Sequence, residues 1–201
     1  MTDAPVRTRL LEGTLEVLGA HGVAGTTSRR IADAAGTNLQ AITYHFGSKD
    51  ALVGQALVHA VRRWLEPVRQ ALARVDTDPI GGLVAAVFTL QQSLAQARTR
   101  LPAYVEALAA ATRHEQVQDE IVSLLREMRD DVAARIRELA ATGLLADWAD
   151  PEAIAALLVA AGDGFVLHAT LDPEGYDLDR ALSQVVQVLL AARRVGPDDK
   201  G

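Results

Sequence analysis

The chain has 201 residues, 49% apolar and 23% charged, with few aromatic side chains and only 15 Gly and 7 Pro. That balance excludes a disordered or fibrous chain and suits a helical globule long enough to bury a core. The absence of cysteine excludes disulfides and thiolate metal sites, and the net charge of −6 argues against a body that lies flat on nucleic acid.

The charge is unevenly spread. The first fifty residues hold five of the 20 basic and five of the 26 acidic side chains, so the acidic excess falls wholly on residues 51–201. Only the front end suits a polyanion. The N-terminus lacks the basic, apolar, small-residue order of a secretory signal, and no uninterrupted apolar run reaches the length of a membrane span. The expectation is a cytoplasmic protein with no membrane partner.

Apolar spacing is helical almost throughout, with no period-two run. A first helix is predicted from Val6 to His21, with Leu11, Leu15 and Leu18 on one face and Gly22 as its stop. Gly25-Thr26-Thr27 announces a second, with Thr27 as N-cap, from Ser28 to Ala35. A third follows Asn38, and a fourth starts beyond Ser48 and runs into the seventies, with a kink expected at Pro67. Past Asp76-Thr77-Asp78-Pro79 a helix runs to about Ala97, and another begins at Leu101-Pro102. A long helix from Glu115 to Thr142 carries Val117, Ile121, Leu124, Leu125, Met128, Val132, Ile136 and Leu139 as its stripe. Asp150-Pro151-Glu152 opens a helix to about Thr170, and the last runs from Asp177 to Arg194. The fold class is all-α with about nine helices: a three-helix domain over residues 1–50, a helical domain over 51–195, and a disordered tail over 196–201.

The segment from Ser28 to Gly47, SRRIADAAGTNLQAITYHFG, carries the function. Two short helices crossing steeply through a tight turn need a small residue at their approach, a glycine in the turn and an apolar plug. Ala32, Gly36 and Ile42 occupy those positions, and Asn38 is placed to cap the second helix. This is the pattern of a helix-turn-helix, whose second helix enters the DNA major groove. With Ile42 and Phe46 turned inward, Leu39, Gln40, Thr43 and Tyr44 fall on the outer face. Gln40 suits an adenine edge, Thr43 either base class, and Leu39 a thymine methyl. Tyr44 and His45 suit phosphate oxygens, as does Lys49 at the start of the next helix. Thr27, Ser28 and Arg29 are candidates for the opposite backbone.

Residues 10–64 resemble the N-terminal DNA-binding domain of TetR-family transcriptional regulators. The resemblance rests on LLEGTLEVLGAHGVAGTTSRRIADAAG and on ITYHFGSKDAL. Two departures bear on base preference: Leu39 replaces a commonly polar or basic residue, and Thr43 stands where an aromatic is frequent. The resemblance implies a homodimer whose last two helices pair into a four-helix bundle, and an inducer pocket among the middle helices. The residues themselves point the same way. The helix from Glu152 to Leu171 is apolar on most sides, so it needs covering on most sides, and an identical partner can supply that cover. Leu158, Phe165, Leu182, Val185 and Leu189 are the candidate dimer residues.

Trp64, Phe88, Gln92, Tyr104 and Met128 are candidates for a mostly apolar pocket, although such side chains serve an ordinary core equally well. They favour a small lipophilic effector. His21, His59, His114 and His168 lack the i, i+4 spacing of a metal site, and no metal or cofactor is expected. A helical-bundle enzyme, or a small-molecule-binding module without a DNA role, is the alternative. No nucleophile elbow, phosphate loop or paired-carboxylate motif supports an enzyme.

Overall fold

The structure is a computed structural model that describes residues 5–73, 79–96, 101–113, 115–143, 145–146 and 148–191. Side chains are described at all of these except 79–80, 82–83, 93–96, 101 and 189–191. Nine helices occupy the described residues: α1 (Val6–Gly25), α2 (Ser28–Ala34), α3 (Leu39–Phe46), α4 (Lys49–Ala73), α5 (Pro79–Gln96), α6 (Leu101–Ala111), α7 (Glu115–Ala141), α8 (Pro151–Leu171) and α9 (Leu178–Ala191). The predicted tail over 196–201 and the predicted final turn to Arg194 lie outside the described residues.

Local chemistry sets the boundaries in the first third of the chain. Helical geometry breaks at Gly22, where the predicted stop lay, and a further short turn carries α1 to Gly25. The Thr27 side chain accepts from the Arg30 amide at the start of α2, and the Asn38 side chain accepts from the Ala41 amide at the start of α3. Ser48 Oγ caps α4 in the same way, accepting from the Ala51 amide at 3.1 Å. Each cap satisfies one of the amides that a helix start leaves without an intrahelical partner. α4 continues as one helix through Pro67.

Two compact units emerge. One comprises Met1–Trp64 and Thr99–Leu124, the other Leu65–Arg98 and Leu125–Gly201. The first unit thus extends beyond residue 50, where the sequence pattern draws a domain edge, and takes in α6 and the front of α7. Its centre is a cluster of Leu10, Leu11, Ile31, Ala32, Ala35, Ile42, Phe46, Leu52 and Ala56, drawn from α1 to α4. These residues recur at helical spacing on each element, so one apolar face per helix meets at a common point.

A polar clamp also ties α1 to α4 in this unit. Glu12 accepts from His59 Nε2 at 3.1 Å and pairs with Arg63. Burial alone pushes the Glu12 carboxyl up, but the His59 hydrogen bond and the Arg63 charge outweigh it and hold it below its ordinary value. A carboxyl depressed on folding stabilises the fold above its ordinary value, and that contribution is lost as pH falls through the lowered one. Glu12→Gln is therefore expected to lower thermal stability at neutral pH by about 0.2–1 kcal/mol, the range of exposed ion pairs. The gap from wild type should close as pH falls through and below the carboxylate range in a melting series. A gap that stays constant down to pH about 2 would assign Glu12 a packing role instead.

In the second unit, Arg69 of α4 donates to Asp131 at 2.7 Å and to Glu127 at 3.0 Å, fixing the later part of α4 to α7. α9 lies along α5, with Gln91 donating to Asp179 at 2.8 Å. α8 starts as its Asp-Pro sequence predicts: the Asp150 carboxylate accepts from the Glu152 and Ala153 amides, and Pro151 occupies the first turn. By length and composition α8 is apolar enough to cross a membrane, and only 11% of its most apolar stretch is buried within one chain. Asp163 and two glycines interrupt its apolar residues, which is why it does not register as an uninterrupted span.

Candidate nucleic-acid interface

The turn between α2 and α3 fixes the geometry of the exposed surface. The Gly36 amide donates to the Asp33 carbonyl at 3.1 Å and the Thr37 amide to the Ala32 carbonyl at 2.9 Å. Gly36 sits at φ 59°, in the left-handed region where a side chain would be strained. This closure satisfies the carbonyls at the end of α2 and turns the chain sharply. Ala32 is buried where the helices approach, and Ile31, Ala35 and Ile42 fill the angle between them. The placement matches what the Ala-Gly-Ile spacing implies for a helix-turn-helix.

α3 has one inner and one outer face. Ile42 and Phe46 are 3% and 8% exposed, whereas Leu39 is 49% and Tyr44 84% exposed. Gln40 and Thr43 are exposed beside them, and His45 is half-buried, its ring edge-on to Tyr44 with centroids 4.9 Å apart. Thr27, Arg29 and Asn38 are exposed and Ser28 is half-buried, with Thr27 and Asn38 serving as caps. Lys49 bends back towards the Thr26 carbonyl at 3.5 Å and lies 3.4 Å from Asp50.

Several residues that shape this surface carry no signal in the sequence. Arg30 donates to the Gly25 carbonyl at 2.7 Å, holding the α1–α2 connection. Arg9 Nε donates to the Ala35 carbonyl at 3.2 Å, and the Arg7 guanidinium lies over the Phe46 ring, 5.1 Å from its centroid. Gly13 packs against the backbone of the turn, where an added Cβ would stand 2.9 Å from the Ala35 nitrogen. All but the Arg30 contact join positions distant in sequence, and no local pattern marks those.

The remaining candidates fall in both units. In the first unit the Trp64 and Tyr104 rings meet with centroids 6.0 Å apart, and Tyr104 is buried. In the second unit Met128 is buried in α7, while Phe88 and Gln92 are exposed on α5. Of the candidate dimer residues, Leu158, Phe165 and Val185 are half-buried and Leu182 is buried within one chain. The Leu189 side chain lies outside the described residues. The exposed large apolar side chains of α8 and α9 are Leu157, Leu167, Leu171 and Val188. Among the described residues no group of three or more His, Asp or Glu side chains is placed to hold a metal ion.

An exposed polar helix held across a capped, glycine-closed turn, on an otherwise all-helical chain, defines a helix-turn-helix DNA-binding protein. The model for bacterial regulatory proteins of the tetR family matches residues 10–56, and that for the C-terminal part of BetI-type transcriptional repressors matches residues 79–193. The chain belongs to the TetR family of transcriptional regulators. It is 25% identical to the HTH-type transcriptional regulator PksA of Bacillus subtilis over 185 residues, covering 90% of this chain and 86% of PksA. Among solved structures, a transcriptional regulator from Pseudomonas aeruginosa PAO1 superposes with a TM-score of 0.78 at 26% identity, covering 92% of this chain and 88% of that one. The multidrug binding protein EbrR, solved with imidazole, superposes with a TM-score of 0.68 at 26% identity, covering 98% and 99%. The relatives are named as regulators, not enzymes.

Proposed function

We propose that this protein is a homodimeric, ligand-responsive repressor that holds a palindromic operator through α3 and leaves it when a small lipophilic effector binds. Residues 1–50 act as the reader and residues 51–195 bind the effector and the second copy, in the cytoplasm where the DNA lies. The observation that carries this reading is the two-faced α3, anchored by Ile42 and Phe46 and presenting Leu39, Gln40, Thr43 and Tyr44 outward. Side chains of these types suit base edges in the major groove, with Tyr44, His45, Thr27, Ser28 and Arg29 on flanking phosphates. A two-fold dimer sets its two readers about 34–36 Å apart or a multiple of that spacing, which calls for a palindrome.

The repressor sign is supported by the description of the C-terminal family, and the lipophilic effector by the apolar character of Trp64, Phe88, Tyr104 and Met128. A multidrug binding protein among the similar structures agrees with such a ligand. Trp64 lies on α4, an unbroken helix that begins at Lys49 beside the reader. An effector packed on Trp64 displaces α4, changes the spacing of the two readers and favours the unbound state, because it binds that state better.

The test is operator affinity measured by fluorescence anisotropy against salt, with and without a panel of lipophilic compounds. Log affinity is expected to fall steeply with log salt, and an active compound should abolish binding while the dimer persists. A weak, salt-independent response to every duplex would sink the reading. Two substitutions separate the roles on α3 and α4. Gln40→Ala should relax preference at one base pair by about 1–3 kcal/mol. Lys49→Ala should weaken all duplexes alike and reduce the salt slope by about one.

A further inference from the structure

α1 holds the turn that leads into the reading helix and the residue that ends it. Before α3 begins, Arg9 Nε donates to the Ala35 carbonyl at 3.2 Å. That oxygen belongs to the last turn of α2, where helix carbonyls lack intrahelical partners and the peptide dipoles place negative charge. Where α3 ends, the Arg7 guanidinium covers the Phe46 ring at 5.1 Å, and its Nη2 donates to Gln55 Oε1 of α4 at 2.6 Å. Phe46 is the last residue of α3 and is buried against the core. Between the two arginines and the C-terminal half of α1, Gly13 lets α1 touch the turn itself.

We propose that Arg7 and Arg9 are positioning residues for DNA reading, fixing the tilt of α3 from the turn before it and from its last residue, and that Arg7 acts through Phe46 and Gln55 rather than by touching DNA. The inference rests on the reading that α3 docks on the operator. It is specific about Arg7, because an exposed arginine beside a reading helix is otherwise the obvious phosphate contact. The cation over the ring holds α3 directly and the hydrogen bond to Gln55 ties that cation to α4, whereas a phosphate contact would add one charge to the interface and nothing to the helix.

The experiment uses the full-length dimer and an operator duplex selected by the wild type from a random library, with affinity read across a salt series. Arg7→Ala and Arg9→Ala are expected to weaken operator binding about three- to tenfold each, with the salt slope of Arg7→Ala equal to that of wild type. Arg7→Lys, which keeps a cation over the ring and a donor for Gln55, should return affinity to within about twofold. Gln55→Ala should weaken binding in the same direction and be non-additive with Arg7→Ala, since both remove one contact. A salt slope lowered by about one in Arg7→Ala marks a phosphate contact and overturns the proposal. So does an Arg7→Ala variant that melts earlier yet binds like wild type, since its role is then structural only. If the wild type selects no duplex at all, the DNA-reading assignment itself falls. If the wild type binds and the arginine variants bind equally well, only the brace falls.

Discussion

Leu157→Glu is expected to give a folded monomer that has lost most of its hold on operator DNA. Leu157 is 69% exposed on α8, so the new carboxylate meets water in a single chain and removes little internal packing. In a dimer built on this face the same carboxylate would be trapped among Leu167, Leu171 and Val188 without a partner, and burying an unpaired charge is prohibitive. Once the copies separate, each reader binds its half-site alone and the second contact is no longer intramolecular. The loss is of order 10²–10⁴ in apparent affinity. Sedimentation gives the mass, a melting curve shows that the fold persists, and operator titration gives the affinity. A variant that stays dimeric and binds normally would move the interface off α8.

Gly13→Ala should be the most damaging of the conservative changes to the reader. In an ordinary helix this substitution stabilises by about 1 kcal/mol, because glycine is a poor helix former. Here the added methyl would lie 2.9 Å from the Ala35 nitrogen and 3.2 Å from the Ala34 carbonyl carbon and the Ala35 Cα, all backbone atoms. Backbone in a closed turn yields little, so α1 has to lift away or the turn has to shift, an overpacking cost of about 1–3 kcal/mol. The substitution should thus be net destabilising by up to about 2 kcal/mol, lowering the melting midpoint by up to roughly 8 °C. DNA affinity should fall with it, because the strained turn is the one that aims α3. An alanine variant that melts higher than wild type would show that α1 does not press on the turn.

The helix-turn-helix is legible because its rules are local. Thr27, Asn38 and Ser48 cap within three residues of their partners, Gly36 supplies a backbone conformation that few residues adopt, and Ile42 and Phe46 are one helical turn apart. α2 ends at Ala34 rather than Ala35 because Ala35 already serves as its cap. What holds the motif in place is not legible. Glu12 meets His59 and Arg63 some fifty residues away, and Arg7 meets Phe46 and Gln55, pairings that only the packed fold creates. The division into units is hidden for a similar reason: two of the three changes of unit along the chain fall inside the continuous helices α4 and α7, where no glycine or proline cluster marks them. The candidate effector residues are the least legible, since Trp64, Tyr104 and Met128 follow the same spacing whether they line a cavity or fill a core. α8 shows the converse: Leu157, Leu167 and Leu171 continue its apolar composition, yet only the folded chain reveals which of its sides is left uncovered.

The two faces of α3 also bear on how such a protein diversifies. Leu39, Gln40, Thr43 and Tyr44 stand outside the core that Ile42 and Phe46 complete, so exchanging them costs the fold little. Recognition can then drift to a new operator, one base pair at a time, while the scaffold beneath stays as it is.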